Sequence, residues 1–251
     1  MKRILDSIFI FTALLFLTVT KTKAQNTVFL SQGRIEFERK VNLYAQLDDI
    51  EDEAWRDLIK KSRPQFKTSY FDLEFIGNKT LFKPGRENSD NNKLWQEPAE
   101  DNVVFTDLDK EQRVSQKNVF EEKFLLQDST RKIQWKITDE TRNIAGFECR
   151  RANALIMDSV YIVAFYTDAI ITSGGPESFM GLPGMILGLA IPHSHITWFA
   201  TKVYAETIKD TELIPPAKGK KVNNTTLQAT LKDRMKDWGN WGKRYIQQIM
   251  I

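Results

Sequence analysis

A chain of 251 residues with one cysteine excludes an intramolecular disulfide framework, and its formal net charge of +3 sits entirely at one end. The first 24 residues carry Lys2, Arg3, Lys21 and Lys23 against Asp6; with 36 bases and 33 acids in all, the remainder balances at 32 of each. No overall field then favours nucleic acid or an anionic membrane surface.

Met1 to Ala24 has the three parts of a secretory leader: a basic start, an apolar run from Ile8 to Val19, and Thr22-Lys23-Ala24 before Gln25. The apolar run is too short to span a bilayer as a helix. Cleavage after Ala24 is expected, leaving residues 25–251 as one exported domain with length enough for a sizeable core. No cysteine near the cleavage site offers a lipoprotein anchor.

From Gly33 to Leu43, Ile35, Phe37, Arg39, Val41 and Leu43 alternate with Glu36, Glu38 and Lys40, the pattern of a half-buried strand. Asp48 or Asp49 is expected to cap a helix to about Lys61, with Ile50, Ala54, Trp55, Leu58 and Ile59 as its apolar stripe. Phe66 to Ile76 and Thr80 to Lys83 read as a hairpin around Gly77-Asn78. The polar composition of Pro84 to Asn102 predicts a long, mobile surface loop. Five antiparallel strands follow: Val103–Leu108, Val114–Leu126, Lys132–Asp139, Ile144–Met157 and Val160–Tyr166, with turns at Asp109-Lys110, Asp128-Ser129, Glu140-Thr141 and Asp158-Ser159. Cys149 lies in one of them beside Phe147, where burial is expected.

The stretch from Gly174 to Leu189 organises the rest. Ser173-Gly174-Gly175-Pro176 reads as one tight turn, and Leu182-Pro183-Gly184-Met185 as a type II turn with proline and glycine at the required places. Met185 to Ile191 suits a strand buried on both faces, ended by Pro192. Gly188 inside it marks a close approach. Only Glu177 ionises, so the stretch reads as a shape element. Ile196 to Ala205 gives one more strand, Pro215-Pro216 and Lys218–Lys221 a surface link, and Thr225 or Thr226 caps a closing helix. Leu227, Leu231, Met235, Trp238, Trp241, Tyr245 and Ile249 make that helix's apolar face; Gly239 and Gly242 predict a kink or break.

The strings GLPGMILGL, YTDAIITSGGPESF and TWFATKV, with Trp135-Lys136-Ile137-Thr138 and Arg142 to Ala152, closely resemble the GLPGLI family of secreted bacterial proteins. Met185 stands where the family's name has leucine, and the resemblance spans about residues 30–205. It implies export to the periplasm or beyond in a Gram-negative cell, and no characterised activity. It makes Gly174, Gly175, Pro176, Gly181, Leu182, Pro183, Gly184 and Gly188 the family motif, with a structural role.

No H-E-x-x-H, G-x-S-x-G, P-loop or G-x-G-x-x-G occurs, so no catalytic residue or cofactor is assigned. His193 and His195 are the only histidines; in an extended segment they would share one face about 6–7 Å apart, a spacing metal sites use. They lack a local third ligand, so metal handling is the alternative reading rather than the first. The G-x-x-x-G at Gly184 to Gly188 is too short for a membrane packing motif.

Strand, helix, many strands and a closing helix give a mainly β, α+β fold: a curved open antiparallel sheet or half-barrel with two helices. By analogy this is the architecture of LolA/LolB-type lipoprotein carriers. The expected function is a non-enzymatic cell-envelope binding or accessory module, for a hydrophobic ligand or an envelope partner. An enzyme with an unrecognised site is a further alternative. Membrane contact is expected only through the C-terminal helix.

Overall fold

A computed structural model describes residues 29–47, 50–91, 94–157 and 159–251. The leader and its cleavage site, the Asp48/Asp49 cap and Asp158 of the fourth turn lie outside the described residues.

Among the described residues twelve strands form one open, curved sheet. They are β1 (Gln32–Asn42), β2 (Phe66–Ile76), β3 (Lys79–Pro84), β4 (Val103–Asp107), β5 (Gln112–Val119), β6 (Glu122–Ser129), β7 (Lys136–Ile144), β8 (Phe147–Ile156), β9 (Val160–Thr167), β10 (Met185–Ile191), β11 (Ile196–Tyr204) and β12 (Lys220–Val222). Their spatial order is β12-β6-β5-β4-β3-β2-β1-β11-β10-β9-β8-β7. All pairs are antiparallel except β12 on β6. Most neighbours are joined by hairpins, while the chain passes from β6 near one edge to β7 at the other, and β1 pairs β11 in the middle, so the sheet stays open.

The fold is mainly β, with α1 (Glu53–Ser62), α2 (Asn224–Arg234) and α3 (Gly239–Met250). Alternation decides which face goes inside. Ile35, Phe37, Arg39 and Val41 of β1 are buried, as are Lys67, Ser69, Phe71, Leu73 and Phe75 of β2. Phe71 stacks on Phe82 of β3 with ring centroids 4.8 Å apart. The curvature shows in Met157 after β8, which packs both on the main core and on the cluster of Phe124, Leu126, Leu227, Leu231 and Ile249. The C-terminal end of α3 fills the space between those two bodies: Ile249 and Met250 belong to one, Ile251 to the other.

Several local expectations shift. The long strand expected over Val114–Leu126 is two, because Phe120 adopts φ 57° and turns the chain back. The turn expected at Glu140-Thr141 lies within β7; the chain reverses instead at Ala145-Gly146, both at positive φ as a two-residue hairpin needs. The Lys218–Lys221 link contributes β12. Asp52 caps α1 by accepting from the Trp55 amide (3.0 Å). Asn223 rather than a threonine caps α2, accepting from Thr226 N (2.8 Å). The closing helix is broken between Arg234 and Gly239, near the expected glycines.

The polar run after β3 is a strap and not a mobile loop over its described residues. Asn88 and Asn91 donate to the Thr68 carbonyl (2.9 and 2.8 Å). Lys67 Nζ donates to the Trp95 carbonyl (2.5 Å) and to Glu100 (2.6 Å), and Arg39 to the Pro98 carbonyl (2.8 Å). Composition predicts solvation; buried cations on the inner faces of β1 and β2 demand partners, and the strap supplies them.

Candidate functional site

Residues Gly174 to Phe179 are all buried, and Phe179 enters the main core. The tight turn falls at Pro176 to Phe179 (Phe179 N to Pro176 O, 3.2 Å), not at Ser173 to Pro176, and it puts Glu177 at φ 54°. The second turn is tighter than type II. Gly184 N donates to Leu182 O (2.7 Å), a three-residue turn around Pro183, while Met185 N bonds Ile170 O (3.1 Å). Gly184 has φ 135°, and a Cβ there would lie 2.0 Å from the Thr167 carbonyl oxygen. Gly188 marks a close approach: a Cβ would meet Phe199 at 2.7 Å and Ile144 at 2.9 Å. Ser173 Oγ ties the loop's ends, donating to Leu182 O (2.7 Å) and accepting from Gly181 N (3.1 Å). Trp135 Nε1 donates to the Met180 carbonyl (2.9 Å).

Glu177 is no bystander in this shape. It is 3 % exposed, accepts from Asn102 Nδ2 (2.9 Å), and faces the charges of Lys117, Arg39 and Arg113. Burial raises its pKa, and those cations and the Asn102 bond pull it back. Burial lowers Lys117 to about 7, against the attraction of Glu177; Arg113 and Arg131 push it the same way as burial. Arg39 and Arg113 are lowered chiefly by burial too. The sequence hint was weak: Arg113, Ser115 and Lys117 alternate inward along β5 where apolar residues are the norm.

Above this interior lies a cleft of about 840 Å³. Leu43, Leu47, Ile50 and Ile59 line one side, and Phe120, Trp238, Trp241 and Tyr245 the other. The aromatic wall is one cluster: Phe120 stacks on Tyr245 with centroids 5.5 Å apart, and the tilted pairs Trp241–Tyr245 and Trp238–Trp241 follow at 5.3 and 4.9 Å. Trp241 is 52 % and Trp95, also lining the cleft, 80 % exposed. Glu97 and Asp101 face Tyr245, whose hydroxyl pKa is raised by burial first and by those acids after it. The sequence marked Trp238, Trp241 and Tyr245 as a helix face, but not the strap and β5–β6 turn that meet them.

His193 and His195 line the same cleft, both exposed. They are not extended: Pro192–Ser194 is a 3₁₀ turn and His195 sits at φ 54°, so the shared-face geometry does not arise. Among the described residues no group of three or more His, Cys, Asp or Glu side chains is placed to hold a metal ion. Cys149 is fully buried, with its thiol pushed up to about 12 by burial.

Residues 155–188 match the model of a family described as "Protein of unknown function (Porph_ging)", a stretch containing most of the glycine-rich loop and the start of β10. No curated protein matches. Two solved structures are similar in fold: "Structure of PNGF-II in P21 space group" (TM-score 0.52, 16 % identity, 80 % of this chain) and "Structure of PNGF-II in C2 space group" (TM-score 0.51, 16 % identity, 79 % of this chain). The chain spans about a third of the length of each, 33 % and 32 %. At that identity the likeness concerns the fold, a β-rich one, and the matching family is uncharacterised.

Proposed function

We propose that this protein is an exported, non-enzymatic binding module of the GLPGLI kind, which holds an apolar ligand in the cleft between α3 and the residues Tyr44, Leu47 and Ile50. The observation that carries the reading is the cleft itself. About 840 Å³ suits one small molecule, and Trp238 and Trp241 stand 40 % and 52 % exposed on its wall. Large aromatic surfaces are usually buried in a protein's own core unless something else covers them. The polar groups on the rim, Gln46, Asn118, Glu97 and Asp101, would orient a ligand rather than supply its affinity. Among the described residues no helix is long and apolar enough to cross a membrane. Export through the leader, to the periplasm or the outer surface, is part of the same proposal.

The test is titration with the apolar dye 8-anilinonaphthalene-1-sulfonate, followed by dye fluorescence and tryptophan quenching. The expected result is saturable binding that weakens about tenfold in Trp241→Ala, the loss of a ring contributing about 1–2 kcal/mol. Equal binding by the wild type and Trp241→Ala would reject the cleft as the site.

A further inference from the structure

The last turn of α3 ends among buried polar side chains. Lys117 Nζ donates to the Ile249 carbonyl (2.5 Å), Arg131 Nη2 to the Met250 carbonyl (2.7 Å), and Ser178 Oγ to the Ile251 backbone oxygen (2.8 Å). Three successive acceptors are thus held from three places: β5, the segment after β6, and the glycine-rich loop. Two of the donors are cationic, the charge a helix C-terminus favours. Ile249, Met250 and Ile251 are themselves buried, at 0 %, 8 % and 3 % exposure.

The other end of α3 is held differently. Trp238 stands at its N-cap without a side-chain cap bond, and Gly239 follows at φ 56°. Trp238, Trp241 and Tyr245 from these first turns form the cleft's aromatic wall, and Arg244 donates to the Gln46 carbonyl (3.2 Å) across the cleft. One rigid helix therefore has its foot in the interior and its head in the cleft.

We propose that the Lys117–Arg131–Ser178 clamp is a positioning device for the cleft, coupling the glycine-rich loop to the aromatic wall through α3. Ser178 is the loop's direct handle on the helix, and its neighbour Glu177 faces Lys117, so two of the clamp's three donors answer to the loop. The glycine-rich stretch, which forms no part of the cleft lining, thereby acts on it at a distance. The clamp residues touch no ligand; they act only through α3. This rests on the binding role proposed for the cleft, but the coupling is measurable without a ligand.

The experiment compares wild type, Lys117→Met and Ser178→Ala by hydrogen–deuterium exchange and by titration with the same dye. The expected result is faster exchange over residues 239–248 in both variants, by about tenfold or more, with β10 amides unchanged. Dye affinity should fall several-fold in each. Ser178→Ala removes only a hydroxyl, so it decides the question if Lys117→Met fails to fold. Unchanged exchange over residues 239–248 in a folded variant overturns the coupling. If wild type binds no dye while α3 exchange rises in the variants, the clamp stands and the cleft's binding role falls. Unchanged dye affinity beside raised exchange, in a protein that binds dye through Trp241, overturns the clamp's control of the cleft.

Discussion

Asn102 Nδ2 lies 2.9 Å from Glu177 Oε2, and both residues are buried, at 0 % and 3 % exposure. This bond joins the strap after β3 to the glycine-rich loop, and it fixes one oxygen of the only ionisable group in that loop. Among the described residues the other oxygen, Glu177 Oε1, has no hydrogen-bond partner, and neither do Arg39 Nε and Nη1, Arg113 Nε or Trp198 Nε1. Buried groups of that kind are normally bridged by ordered water.

Glu177→Gln is therefore a damaging change. A glutamine keeps an acceptor for Asn102 but leaves Arg39, Arg113 and Lys117 facing no buried anion in the loop. Leaving those buried cations without the facing charge costs about 1–3 kcal/mol. Urea denaturation should show it as a lowered midpoint. A midpoint within error of wild type would mean the loop works by shape alone, as its sequence suggests.

Backbone geometry sets the next expectation. Gly184→Ala places a Cβ against the Thr167 carbonyl at a φ that L-residues avoid, so it should destabilise by about 2 kcal/mol or more. Gly188→Leu must displace Phe199 and Ile144, at a typical cost of about 1–3 kcal/mol. Chemical denaturation of both beside wild type is the check, and silence at Gly184 contradicts the description of this turn.

Burial of Lys117 makes stability depend on pH. Its pKa is near 7 in the folded chain and about 10.5 unfolded, so between those values the unfolded chain binds the extra proton. The cost of burying the charge is present below pH 7 and is relieved as pH rises above it, by at most about 1.4 kcal/mol per unit. Wild type should gain stability relative to Lys117→Met between pH 7 and 9. Parallel pH curves for the two proteins would refute the burial of a titrating amine.

Cys149 gives a chemical check on the core. With its thiol pushed up to about 12 and no exposed surface, native protein at pH 8 should resist iodoacetamide for hours, whereas denatured protein should react completely. Rapid alkylation of native protein would show that β8 does not bury this residue.

Much of the sheet was legible because alternation is local. Met185–Ile191, Phe66–Ile76 and the hairpin at Gly77-Asn78 fall where their patterns put them. The misplaced turns share one cause: Phe120 and Ala145 reverse the chain at positive φ, although neither residue type advertises that conformation. The candidate site was harder to read. Arg39 shows on the inward face of β1 in the sequence, but its partners come from Pro98 and Glu97, residues set in a run whose composition reads as solvated. The cleft is assembled from segments near residues 45, 95, 120, 194 and 241, and no local periodicity links them. His193 and His195 drew attention by residue type, and a 3₁₀ turn undid the geometry that made them a pair.

If the aromatic cleft holds an apolar ligand, the protein purified from its native cells carries that ligand with it. Wild type and a Trp238→Ala, Trp241→Ala double variant would be purified in parallel from the native cells, extracted with organic solvent and compared by mass spectrometry. An apolar compound is expected in near-stoichiometric amount with wild type and strongly depleted in the double variant. The same compound in equal amount with both proteins, or no compound with either, would contradict the cleft's binding role.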